Sequence, residues 1–279
     1  NIGKKFVGQI VVSVFLVFIF SFFVSEVPAV SSDSLLDAYK NYISQGSTLA
    51  VPAPVPAVEK ISPPQTTQAS THTLFTSADS TLKKPHPNAS DGGAKVMLVK
   101  TGGGINRAIV GFTVPSMPGV LVKASLVLTI YELAQTWGEG RWVAAYFVLR
   151  PWIEGNGRFN KFLDQPSMKG TGQGVTWYCA VDTNISNDSR DCLNSWNGGE
   201  FDPVATDRVF HTNATLGEIV WDVTVDIAPM LASGGEVGWV VKKETEGIAG
   251  GKVFYYSREG GAYFGSPGLG PRLILEFVP

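Results

Sequence analysis

The feature that most constrains the fold is a period-2 alternation of apolar residues, repeated along the chain between clusters of glycine. In LVKASLVLTIYE, Val122, Ala124, Leu126, Leu128 and Ile130 alternate with Lys123, Ser125, Val127, Thr129 and Tyr131. In RWVAAYFVLR, Val143, Ala145, Phe147 and Leu149 alternate with Trp142, Ala144, Tyr146 and Val148. In EIVWDVTVDI, Ile219, Trp221, Val223 and Val225 face one way and Asp222, Thr224 and Asp226 the other. Successive side chains of a strand point to opposite faces, so each segment predicts a strand with one buried face. Further strands are predicted over 95–100, 108–114, 237–243, 252–257 and 272–277, with a short helix over 227–231. Turn signals such as Gly102-Gly103-Gly104, Gly198-Gly199 and Gly250-Gly251 separate them. Only 16% of residues are charged, against roughly 25% in an average soluble domain. The expected class is therefore all-β, an antiparallel β-sandwich or jelly roll over residues 74–279. Residues 154–202 carry few strand signals and read as a long insertion, a feature that is often functional.

The two segments ahead of this domain differ from it. Residues 1–29 combine Lys4 and Lys5, an apolar run from Ile10 to Val24, and Val27-Pro28-Ala29. That is the pattern of a secretory signal peptide, with an uncleaved membrane anchor as the alternative. Residues 30–73 include VPAPVPAVEKISPPQTTQAST. Such a stretch buries too little apolar surface to offset its ordering entropy and predicts a Pro/Ser/Thr-rich stalk. A secreted or cell-surface location follows. In an exported chain, Cys179 and Cys192 are expected to form a disulfide. Asn88, Asn184, Asn187 and Asn213 each begin an N-glycosylation acceptor pattern. The net charge of −2 leaves no electrostatic footprint for nucleic acid.

Glycan binding is the chemistry best matched to the aromatic content, because sugar C–H faces stack on exposed indole and phenol rings. Trp137, Trp142, Tyr146, Tyr178 and Trp196 are the candidates, with Arg150 beside them on the Trp142–Tyr146 face. An Arg fork suits a uronate carboxylate. Trp152, Trp177, Trp221 and Trp239 are assigned to the core. Asp182, Asp188 and Asp191, with Asn184, offer hard oxygens for a structural calcium; no other cofactor is expected. Catalysis would need a carboxylate pair drawn from Glu154, Asp222, Asp226 and Glu259, or His211 in a triad. No G-x-S-x-G elbow accompanies that histidine.

The order of short motifs resembles the DNRLRE family of secreted β-sandwich domains. The layout runs from Ala78-Asp79-Ser80-Thr81-Leu82 through Pro87-Asn88, Gly92-Gly93 and Arg107-Ala108-Ile109-Val110-Gly111-Phe112. It continues through Pro118-Gly119, Trp152-Ile153-Glu154-Gly155, Trp221-Asp222-Val223-Thr224, Gly238-Trp239, Ser257-Arg258-Glu259 and Pro271-Arg272-Leu273. The family's hexapeptide itself is absent. The chain also departs at Gly111, Thr113 and Val114, where the family has a charged ending, and in its cysteine loop. The resemblance implies a non-catalytic jelly roll attached to polysaccharide-degrading enzymes or surface proteins, related to modules that bind acidic polysaccharides such as alginate. The expected partner is a polysaccharide, with membrane contact only through the N-terminal segment. A self-associating surface or filament protein, and a polysaccharide lyase or hydrolase, are the alternatives.

Overall fold

The structure, a computed structural model, describes residues 69–134, 137–159, 167–192 and 195–278. The expected signal or anchor segment and nearly all of the expected stalk lie outside the described residues.

The described chain is all-β. Its strands are β1 (Ser70–Phe75), β2 (Ala78–Lys83), β3 (Val96–Lys100), β4 (Asn106–Val114), β5 (Val120–Ala134), β6 (Arg141–Phe147), β7 (Asp207–His211), β8 (Glu218–Asp222), β9 (Gly235–Lys243), β10 (Lys252–Tyr256) and β11 (Arg272–Val278). Two short helices, α1 (Thr224–Ile227) and α2 (Arg258–Tyr263), complete it with a 3-10 turn at Pro267–Leu269. The strand order is β1-β11-β5-β10-β3-β4-β9-β6-β7, with β2 also pairing β4 and β8 pairing β5. Every one of these pairings is antiparallel.

The long strand β5 makes one curled sheet into two layers. Its first part pairs with β11 and β8, whereas Ile130–Ala134 pairs with β10. Between the layers lies a core containing Val110, Phe112, Leu126, Leu128, Trp221, Trp239, Tyr255 and Leu275. Burying such side chains contributes roughly 1.5–3 kcal/mol each. A second apolar cluster forms on the outer face of β4 and β9, where Ile109 and Val240 meet Val175, Trp177, Ala180 and Trp196 of the insertion. β4 is thus covered on both faces, which explains why RAIVGF reads as an almost unbroken apolar run.

Several sequence expectations are corrected. The first strand starts at Ser70, ahead of the expected boundary at residue 74, and pairs residue for residue with β11. β1 is an edge strand with mostly exposed side chains, so it has no apolar signature. β2 carries no strand signature in the sequence because its buried residues include Asp79, Ser80, Thr81 and Lys83. Val122 is 55% exposed although it belongs to the apolar set of its segment. The register against β11 slips between Glu276 and Phe277, so Leu121 rather than Val122 turns to the core. Val225 is exposed because the chain leaves β8 at Asp222 and α1 starts at Thr224, earlier than the predicted helix. α2 was unforeseen; Ser257 caps it by accepting the Gly260 N–H on its Oγ.

Candidate functional site

The insertion covers most of the sheet face that the sequence left open. It is stapled by the Cys179–Cys192 disulfide and by the indoles of Trp177 and Trp196, which donate to Asn197 Oδ1 at 2.7 Å and Thr176 O at 2.9 Å. Arg107 clips it to β4. Its guanidinium forks onto Glu246 at 2.7 and 2.6 Å, donates to Gly198 O, and lies 4.6 Å from the Trp177 ring centroid.

Four of the six ligand candidates are buried or half-buried. Tyr146 is buried beneath Phe201, with Lys242 Nζ 4.3 Å above its ring. Burial, with the charges of Glu244 and Glu246 behind it, pushes the Tyr146 phenol up; burial pushes the Lys242 ammonium down. Trp196 packs in the second cluster, and Tyr178 packs half-buried against it with Arg190 4.8 Å over its ring. Trp137 is 1% exposed in the main core, 5.4 Å from the His211 ring. For Tyr146 the reason is that an alternating strand has two faces, and here both are apolar enough to require cover.

Trp142 and Arg150 remain accessible, at opposite ends of β6. Trp142 is 40% exposed, opposite Phe210 of β7 at 42%. Arg208 stacks 4.7 Å from the Trp142 ring and is held by Glu244 at 3.1 Å. Arg208 and Phe210 alternate on one face of DRVFH, a signal too short to identify a strand in advance.

At the other end, a groove of about 400 Å³ is lined by Ser77, Phe147, Leu149, Arg150, Trp152 and Glu236, with Gly111 and Gly238 in its floor. These two glycines pair in register across β4 and β9. A Cβ on Gly111 would come within 3.2 Å of Trp152 Cζ2, and one on Gly238 would strike Val110 O at 2.7 Å. The missing side chains let the half-buried indole lie against the sheet. Trp152 Nε1 has no hydrogen-bond partner among the described residues. Arg150 is ion-paired with Glu200 at 2.6 Å, both partly exposed. The sequence assigns Trp152 to the core, whereas the structure places it both against the second cluster and in this groove.

Three pieces of the motif layout meet nearby. Asp79, Glu154 and Glu259 bring carboxylate oxygens within 4.8 Å of one another. Arg258 sits among them, ion-paired with Glu154 and with Glu259 at 3.0 Å, while its backbone N–H donates to Asp79 Oδ2 at 2.8 Å. Asp79 is buried, and desolvation with the charges of Glu259 and Glu154 holds its carboxyl well above the usual range. Burial likewise pushes Glu154 up to about 7. The donor set suits a hard cation, but the guanidinium already supplies compensating charge there.

The other acidic candidates are not brought together. Asp182 is buried and accepts the Asn184 N–H at 3.0 Å, Asp188 pairs with Lys169 at 2.7 Å, and Asp191 accepts from Asn187 Nδ2 at 2.7 Å. Asp222 accepts from Thr224, and Asp226 from Trp239 Nε1 and Thr206. His211 is a core residue whose Nε2 lies 2.7 Å from the Tyr255 hydroxyl, and burial lowers its pKa to about 4. Of the four glycosylation candidates, Asn184 and Asn213 are exposed. Asn88 and Asn187 are half-buried and use Nδ2 as a hydrogen-bond donor.

An antiparallel β-sandwich with a disulfide-stapled insertion, an aromatic groove and a separate aromatic platform is the class of protein these features define. No family model matches the chain, and no curated protein matches it.

Proposed function

We propose that this domain is a non-catalytic, extracellular module that holds an acidic polysaccharide. The observation that carries the reading is the groove in which the Trp152 indole and the Arg150 guanidinium face one volume of about 400 Å³. That size falls within the usual range for ligand sites. An indole offers a stacking surface for a sugar ring, its N–H offers a donor for a hydroxyl, and the guanidinium matches a carboxylate. The Trp142–Arg208–Phe210 platform repeats the combination at the far end of β6, so one chain of sugars reaching both ends gains affinity through two contacts.

The motif layout, which resembles that of the DNRLRE family, supports the same reading. The Cys179–Cys192 bond is of a kind that persists in oxidising compartments. No helix among the described residues is long and apolar enough to cross a membrane.

Affinity electrophoresis of the full chain in gels containing alginate, pectate or a neutral glucan tests the reading. Retardation by the acidic polymers is expected, weakening with salt as surface charge contacts are screened. Trp152→Ala should weaken it about tenfold, the effect of roughly 1.4 kcal/mol. Migration unaffected by every polymer would refute the proposal.

A further inference from the structure

The most deeply buried ion pair among the described residues lies away from the groove. β2 ends at Lys83, which pairs with Asn106 of β4 and is buried. Asp91, in the loop leading to β3, is buried as well; the two side chains are 2% and 3% exposed. Lys83 Nζ donates to Asp91 Oδ2. The other carboxylate oxygen, Oδ1, accepts the backbone N–H of Phe159 at 2.8 Å. The Phe159 ring lies 5.4 Å from Nζ, and the His86 ring packs on it at 4.2 Å.

This is a poor place for an ammonium ion. Lys83 would carry three donors, yet Asp91 is its one hydrogen-bond acceptor among the described residues. Unmet buried donors are costly, more so when charged. Desolvation lowers the lysine's pKa and so weakens its hold on its proton. The two groups are held in contact at the high effective concentration of a fixed intramolecular pair. The Phe159 N–H already points at Oδ1, where negative charge would develop during attack on the carboxyl carbon.

We propose that Lys83 and Asp91 become joined in the folded domain by a side-chain amide between Lys83 Nζ and Asp91 Cγ, with loss of one water. One proton passes from Nζ to Oδ2, and the freed Nζ lone pair forms the C–N bond and pushes charge onto Oδ1. Oδ2 then leaves as water, carrying that proton and a second one from Nζ. Nothing is oxidised or reduced, and no co-reactant is consumed. The link would pin the end of β2 to the loop that carries Asn88 and Ser90. It does not depend on the polysaccharide reading.

Tryptic peptide mapping of the reduced full chain, after removal of any N-glycan, decides it. Trypsin does not cut after an acylated lysine, and Lys84 is shielded by Pro85. The expected result is a single peptide spanning 61–95, uncut at Lys83 and lighter than its sequence by one water, with fragment ions placing the loss on the Lys83–Asp91 pair. In Lys83→Arg, which keeps the charge but cannot form the amide, the water loss should vanish. Peptide 84–95 released at its sequence mass would overturn the proposal. So would peptide 84–95 released one water lighter, since that marks a succinimide at Asp91-Gly92. A 61–95 peptide at full mass would overturn it equally.

Discussion

Gly238 sets the shape of the groove by having no side chain. A Cβ there would overlap Val110 O, a backbone atom that cannot swing away. Gly238→Ala should therefore cost about 1–3 kcal/mol, the usual range for overpacking, and should lower the melting temperature together with polysaccharide retardation. Glu154 gives a pH signature. Burial, with Glu259 adding to it, raises its carboxyl from 4.5 to about 7 despite Arg258 and the Asp79 N–H. The folded state thus binds this proton more tightly than the unfolded chain does. The stability Glu154 contributes is fully present below pH 4.5 and is lost as pH rises through about 7. His211 works in the opposite sense. Its pKa falls from 6.5 to about 4 on burial, so its contribution is present above 6.5 and is lost as pH falls through about 4. Urea midpoints measured across this range should show Glu154→Gln gaining on wild type as pH rises, and losing stability in acid more steeply than wild type.

The insertion is the element whose position decides which aromatics are exposed. Its anchors are the disulfide, the Arg107 clip and two buried tryptophans. Cleaving Cys179–Cys192, thirteen residues apart, should cost about 3 kcal/mol on the chain-entropy account. The checking measurement is thermal unfolding of the protein and of Cys179→Ser/Cys192→Ser. Loosening the insertion should also uncover Tyr146 and Trp196, seen as a red shift of the tryptophan fluorescence before the sheet melts. Arg107→Lys tests the clip by itself. A lysine cannot fork onto Glu246 while reaching Gly198 O, so partial loosening of the same kind is expected. The insertion's boundaries were legible in the sequence because residues 154–202 lack alternation. Its docking was not, since isolated bridges and side-chain clips leave no period to read.

For the molecule as a whole, the N-terminal boundary is a stability question. β1 contributes backbone pairing from Ser70 to Phe75 against β11 and shields that strand's edge. A chain starting at residue 69 should melt like the full-length protein, whereas one starting at residue 76 should melt lower and aggregate through the bared edge of β11. Calorimetry with light scattering separates the two. Self-association of the full chain, measured by sedimentation velocity, would instead direct attention to the outer edge of β1, whose residues are mostly exposed.

Local alternation was sufficient to define the all-β class, most strands and the principal core, because side-chain period and backbone extension are properties of neighbouring residues. Cysteine number and context were sufficient for the disulfide. Which of two apolar faces would be covered, where Trp152 would lie, and which charges would be buried together depended on residues far apart in the chain. Asp79 meets Glu154 and Arg258, and Arg107 meets Glu246, across long sequence separations. Such contacts exist only once the sheet has curled, so only the tertiary structure decides them.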